Sequence, residues 1–150
     1  MKKLSIVIPV YNEEKNLKKL FIKLSLLRLK RAKKEIIVIN DGSTDSSLNI
    51  LRKLKKIKIY SQRNQGKGKA VQLGISRAKG EYIIVQDSDL EYYPSDIIKI
   101  LNSTNNQKKV SVYGSRYLPL SYGLIPRFYK GQNLSSYFAN ILFILLFFAL

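Results

Sequence analysis

Tyr82 to Val85 is a short apolar run that stops abruptly at three carboxylates, Asp87, Asp89 and Glu91, with Pro94 just beyond. Such a run, bounded by polar residues, suits a buried strand. A strand that delivers acids to its carboxyl end is the strongest constraint in the chain, because it fixes both an element and the place where chemistry is presented. Asp87 and Asp89 are two residues apart, so in an extended backbone their side chains share one face. Hard oxygen ligands so placed suit Mg²⁺ or Mn²⁺ already carrying a diphosphate. Taken alone, Asp-x-Asp equally fits a solvated acidic turn ahead of a helix.

The same pattern recurs upstream. Leu4 to Val10 reads as a buried parallel strand, followed by the polar loop Tyr11-Asn12-Glu13-Glu14. Asn12 or Asn16 is placed to cap the next helix, in which Leu17, Leu20, Phe21, Leu24 and Leu27 recur at helical spacing while Lys18, Lys19, Lys23 and Lys30 take the other face. Glu35 to Asn40 is a second strand ending in Asp41-Gly42-Ser43-Thr44-Asp45, where Gly42 permits a tight turn and Ser43, Thr44 or Asp45 can cap a helix that buries Leu48, Leu51 and Leu54. Ile57 to Tyr60 is a third strand. Asn64-Gln65-Gly66-Lys67-Gly68-Lys69 then opens a helix through Ala70, Leu73, Gly74 and Ala78. Glycines, lysines and a helix N-terminus together make a plausible diphosphate seat around Lys67, although the ending and spacing of a Walker A loop are missing. Gly80 leads into Tyr82–Val85 as the central strand. Pro94 or Ser95 begins a helix with Ile97, Ile98 and Leu101 inward, and Val110 to Tyr113 is a further strand. Alternating strands and helices, with acids after strands, predict an α/β fold: an open, mostly parallel, Rossmann-like sheet flanked by helices, with Asp41, Asp87 and Asp89 on one rim.

Composition narrows the chemistry. The chain has 150 residues, no cysteine and no histidine, which removes disulfides, thiolate nucleophiles, most zinc sites and the commonest general base. Its formal net charge of +17 calls for an anionic partner: nucleic acid, a phosphorylated ligand or an anionic lipid surface. No recognised RNA- or DNA-binding motif accompanies the lysines and the aromatics form no stacking pattern, so nucleic acid is the least favoured of the three.

Ser5–Glu14, Ile39–Asp45, Asn64–Gly68 and Gln86–Glu91 resemble, in order and spacing, the motifs of glycosyltransferase family 2. Within that family, Asp-Ser-Asp-Leu-Glu-Tyr followed by Pro94, and later Tyr113-Gly114-Ser115-Arg116, are most similar to the dolichyl- or polyprenyl-phosphate hexose (mannosyl or glucosyl) transferases. The resemblance covers roughly residues 4–118. It implies a GT-A fold, a GDP- or UDP-hexose donor, Mg²⁺ or Mn²⁺, and inversion at the anomeric carbon. Carried over by position, Pro9, Tyr11 and Glu13 would line the nucleotide, Ile39 would do so through its backbone, and Asp41 would accept a hydrogen bond from the base. Asp87 would sit near ribose and diphosphate with Ser88 beside it. Asp89 and Glu91, with Asp87, form the metal set. Arg116 would contact donor or acceptor phosphate, assisted by Arg127 or Lys130, and Asp87, Asp89 and Arg116 would carry catalysis.

The expected domains are a nucleotide-sugar-binding catalytic domain over 1–118 and, over 119–150, a basic linker and an apolar membrane-proximal or acceptor-side helix. Tyr137 to Leu150 is almost wholly apolar but falls short of the ~20 residues needed to cross a bilayer as a helix, so a peripheral or anchored protein at the cytoplasmic face of a membrane is expected. No obvious general base follows residue 91. That favours a polyprenyl-phosphate acceptor, already anionic at neutral pH, over a hydroxyl. Alternatives are a polysaccharide or other lipid acceptor, or a C-terminally short chain that binds donor without turnover or needs a partner chain to supply the missing segment.

Overall fold

The computed structural model describes residues 2–30 and 32–104. The predicted residues 110–113 strand and 137–150 helix, and Arg116, Arg127 and Lys130, lie outside them. Strand β1 (Lys2–Val10) runs to the first polar loop and is followed by helix α1 (Glu14–Leu26). Strand β2 (Ala32–Asp41), helix α2 (Ser47–Arg52), strand β3 (Lys58–Gln62) and helix α3 (Lys67–Arg77) come next. Strand β4 (Tyr82–Val85) and helix α4 (Asp96–Ser103) complete the order. The strands form a sheet in the order β3-β2-β1-β4, parallel at every pairing. The α/β fold and parallel sheet expected from the sequence are therefore present.

β1 and β2 are buried on both faces, which is why they read as nearly continuous apolar runs rather than alternating ones. On one face Ile6 and Ile8 stand beside Ile36 and Val38 in register and pack with Leu17, Leu20, Phe21 and Leu24 of α1, Leu51 of α2 and Ile97 of α4. On the other, Ile37 and Ile39 pack with Ala70 of α3. There α3 approaches the sheet through Gly74: a Cβ at this position would lie 2.2 Å from Val7 Cγ1 and 3.3 Å from Ile39 Cγ1. Both neighbours are fully buried β-branched side chains with little freedom to turn away. Gly74→Ala is expected to lower stability by about 1–3 kcal/mol despite the ~1 kcal/mol that alanine gains over glycine within a helix. Urea unfolding checks this, and an unchanged midpoint would refute the close approach.

Two expectations need correcting. Among the described residues β4 has only β1 beside it, the expected 110–113 strand lying outside them, and Ile83 and Val85 are 43% and 42% exposed rather than buried. A short apolar run cannot reveal by itself how many neighbours it has. In α4, Ile97 is buried but Ile98 is exposed, because one residue turns a helix about 100° and carries the second isoleucine out of the core.

Pro9 sits near the end of β1 without breaking the sheet. Val7 O still accepts Gln86 N at 2.9 Å. Two residues later Pro9 faces the same side, beyond the last β1–β4 pair at Val85, so its missing N–H costs no ladder bond.

At the opposite, amino edge, the register partners Ser5 and Glu35 form a buried polar knot. Glu35 accepts from Ser5 Oγ at 2.8 Å, Lys58 Nζ at 2.5 Å and Lys79 N at 3.1 Å, with Lys3 Nζ at 3.2 Å, and Ser5 Oγ in turn accepts Gly80 N at 2.9 Å. Burial pushes the Glu35 carboxyl up. The Lys58 ammonium, Ser5 hydroxyl, Lys79 amide and Lys3 ammonium outweigh it and hold the pKa at about 2.

Candidate active site

The loops at the carboxyl ends of the strands enclose a cavity of about 360 Å³ lined by Pro9, Tyr11, Glu13, Asp41, Asp87 and Asp89, together with Val10, Asn64, Gly66, Lys67 and Ser88. Most residues singled out from the sequence thus meet in one place. Ile39 is not part of the lining. It is fully buried in β2 opposite Pro9. Glu91 is also outside the lining, and Arg116 lies beyond the described residues. Val10, Asn64 and Gly66 were not among the candidate residues; the glycine-lysine stretch was the only sequence signal for the last two.

The loops after β1 and β2 are stitched to each other. Asn12, at φ 53°, accepts Thr44 N at 2.8 Å through its side-chain oxygen, and Asn12 N donates to Ser43 Oγ at 3.1 Å. An asparagine tolerates this left-handed backbone better than most residues. The first amides of α1 are satisfied from the other loop: Glu13 N donates to Ser47 Oγ at 2.8 Å and Glu14 N to Asp45 Oδ2 at 3.1 Å, while Ser46 N donates to Glu14 Oε2 at 3.0 Å. Neither Asn12 nor Asn16 caps α1, contrary to expectation, because residues more than 30 positions away do so. Asp45 does serve α2 as expected, its Oδ1 accepting Ser47 N at 2.8 Å. Burial opposes ionisation of Asp45, but hydrogen bonds from Ser47 and from the Glu14 amide hold its pKa below the usual carboxylate value.

Asp41 is buried and braces the next loop. It accepts from Gln62 Nε2 at 2.7 Å, Gln65 N at 3.0 Å and Gly66 N at 2.9 Å, which fixes the chain just before α3. A carboxylate has about four lone-pair directions, so Asp41, on the cavity wall, retains acceptor capacity toward a ligand. Gly42 makes this crowding possible: at φ +70°, a Cβ there would lie 2.7 Å from Asn64 N. The turn places Lys67 at the start of α3, where its Nζ forms a 2.8 Å ion pair with Asp87 Oδ1. Cation and helix N-terminus meet carboxylate across the cavity.

Asp87 and Asp89 share the cavity for a different reason than alternation along a strand. β4 ends at Val85, and the two acids occupy a turn in which Asp89 Oδ1 accepts Glu91 N at 3.0 Å and Leu90 adopts φ +66°. Buried Gln86 closes this turn from beneath, its Nε2 donating to both Asp87 O and Tyr92 O at 3.1 Å. Lys23 of α1 lies over the Tyr93 ring, 4.4 Å from its centroid, and braces the far side. Among the described residues no three acid, histidine or cysteine side chains are gathered as a metal cage. Two carboxylates nevertheless fit Mg²⁺ or Mn²⁺, which commonly completes its shell with substrate phosphates and water.

The family model described as Glycosyl transferase family 2 matches residues 5–139. An uncharacterized protein of Methanocaldococcus jannaschii is 34% identical over 146 residues, covering 91% of this chain and 58% of its own length. The undecaprenyl-phosphate 4-deoxy-4-formamido-L-arabinose transferase of Salmonella choleraesuis is 36% identical over 108 residues, 67% of this chain and 33% of that protein. The chain therefore spans about three-fifths of one relative and a third of the other. Among solved structures, S. aureus TarS 1–349 matches with a TM-score of 0.59 at 29% identity, covering 67% of this chain and 31% of TarS 1–349. The mannosyltransferase PcManGT of Pyrobaculum calidifontis, in complex with GDP-Man and Mn²⁺, also gives 0.59, at 20% identity over 69% of this chain and 32% of that one, a likeness of fold alone. Together with the sheet order, these matches give the fold as GT-A.

Proposed function

The chain belongs to glycosyl transferase family 2, and from that premise we propose that it transfers a hexose, with inversion, from a GDP- or UDP-sugar to a polyprenyl phosphate at the cytoplasmic face of a membrane. The observation that carries the reading is the meeting of Asp87, Asp89, Lys67 and the start of α3 on the same cavity as Tyr11 and Asp41. Tyr11 and Pro9 offer flat surface to the base, Asp41 an acceptor, and Lys67 with the α3 amides a cationic seat for the diphosphate. Asp87 and Asp89 would hold the divalent cation, which when bound offsets charge on the leaving diphosphate.

Lys67 is paired with Asp87 at 2.8 Å. With donor its flexible stem can carry the ammonium to the diphosphate oxygens, where negative charge builds as the glycosidic bond breaks. Preorganised positive charge at that position is the main electrostatic demand of the displacement. The acceptor requires little more than access: a phosphate monoester, with a second pKa of about 6, attacks without a base. The name of the Salmonella relative, an undecaprenyl-phosphate transferase, supports that acceptor class. No described helix is long and apolar enough to cross a membrane.

The test is transfer of radiolabelled sugar from GDP-mannose and UDP-glucose to polyprenyl phosphate, with Mn²⁺ or Mg²⁺ and the chain in detergent. An organic-extractable product supports the reading. Metal-dependent donor binding with no product from either donor would instead identify a donor-binding segment that needs another acceptor or another chain. Lys67→Met is expected to reduce transfer about 10- to 100-fold with the fold unchanged, since Lys67 is 63% exposed. Undiminished transfer by this variant would remove Lys67 from the diphosphate seat.

A further inference from the structure

Charge in this chain is segregated. No aspartate or glutamate occurs between Glu14 and Glu35, nor between Asp45 and Glu81. Those stretches carry nearly all of α1, all of α2, β3 and α3, while much of the acid gathers in the loops of the cavity. The cationic side therefore has a partner to find other than the site's own carboxylates.

The exposed face of α1 shows what kind. Lys18 and Lys19 stand three and four residues after Lys15, Ile22 four and three after them, and Leu26 four further on, a single stripe on the helix. Ile22 and Leu26 are 60% and 73% exposed and stand one turn apart. Single exposed aliphatics are ordinary. Ile22 also lines a groove of about 600 Å³ between α1 and the α2–β3 connection, floored by Phe21, Ile36, Leu54 and Ile57 and bordered by Lys18, Lys55 and Lys56, while Leu26 stands one turn along the helix outside it. Lys34 also borders the groove, but its ammonium is spent on α1, donating to Leu24 O, to Ser25 O at 3.1 Å and to Leu27 O at 2.8 Å. The other three lysines form no ion pair with a described acid.

We propose that this face is a docking surface for an anionic phospholipid bilayer, with Ile22 and Leu26 entering the boundary between headgroups and acyl chains and Lys18, Lys19, Lys55 and Lys56 meeting lipid phosphates. Aliphatic side chains ringed by ammonium groups are the composition of surfaces that lie in a membrane interface. Nucleic acid would use the lysines but leave the aliphatics in water, and Phe21, the one ring lining the groove among the described residues, is buried and cannot stack on bases. The surface is separate from the sugar-donor cavity and does not depend on the transfer reading.

The chain has no cysteine, so Leu26→Cys gives a single site for an environment-sensitive fluorophore in the full chain. With vesicles of phosphatidylcholine and phosphatidylglycerol, the label at residue 26 is expected to shift to the blue and be quenched by a lipid-borne quencher. A label at exposed Gln72→Cys on α3 should remain in water. Adding Ile22→Ser with Lys18→Glu should weaken the residue-26 response at least about tenfold in lipid concentration. Vesicle-bound chain with the residue-26 label still in water would overturn the proposal, since another segment would then hold the membrane. So would absence of vesicle binding, equal response on neutral vesicles, or a response to structured RNA but not to vesicles. None of these outcomes involves sugar donor.

Discussion

Asp87→Asn is expected to lower metal-dependent donor binding and transfer by about 10²-fold or more, without a comparable loss of binding when the metal is chelated. The asymmetry follows from the 2.8 Å pair with Lys67. Removing the carboxylate charge takes away a cation ligand but also releases Lys67 from its partner, and a free ammonium beside the α3 N-terminus attracts a diphosphate on its own. Titration of nucleoside diphosphate with Mn²⁺ and with EDTA separates the two effects. Equal weakening in both conditions would mean that Asp87 shapes the loop rather than serving a cation. The melting temperature should hardly change, since Gln86, not Asp87, supplies the hydrogen bonds that close the acidic turn.

Glu35→Gln is expected to cost about 2–3 kcal/mol of folding stability at pH 7 and to remove a specific part of the acid sensitivity. A glutamine keeps the shape but loses the charge that compensates Lys58 and Lys3, and its amide group brings a donor to face donors. Because the folded-state pKa of about 2 lies below the ordinary 4.5, the contribution of the Glu35 charge is complete above pH 4.5 and drains away as pH falls toward 2. Each unit of displacement is worth about 1.4 kcal/mol. Lys58 and Lys3 are 45% and 38% exposed, so solvent screening trims the whole to about 2 kcal/mol. The difference in unfolding free energy between the native chain and the variant, measured from pH 7 down to 2.5, should shrink across that window. A constant difference would place the stabilisation in packing rather than charge.

The order of elements was legible because parallel buried strands such as Ile36–Ile39 write themselves as unbroken apolar runs and because Leu17, Leu20, Phe21 and Leu24 repeat at helical spacing. Acids at strand ends pointed to the right rim for Asp41, Asp87 and Asp89. What was hidden depended on distance in the chain. The caps on α1 come from Asp45 and Ser47, and the partners of Asp41 from Gln65 and Gly66; local propensity contains no record of such pairs. Asp87 and Asp89 were rightly grouped as neighbours, yet through a tight turn instead of a pleat, since the strand had already ended. The exposure of Ile83 and Val85 on β4, and of Ile98 on α4, depended on neighbours that a short apolar run does not encode.

The placement of β1 between β2 and β4 sets a timetable for the chain as it is made. Leu4 pairs with Lys34 on one side but with Tyr82 on the other. At ribosomal rates the second partner follows the completed first strand by roughly 4–14 s. During that interval one flank of this apolar strand has its backbone donors and acceptors open to any other extended segment. Contacts this remote also slow spontaneous refolding. Dilution from denaturant at high protein concentration should therefore favour aggregates seeded by Leu4–Val10, whereas slow, dilute refolding gives β4 time to arrive.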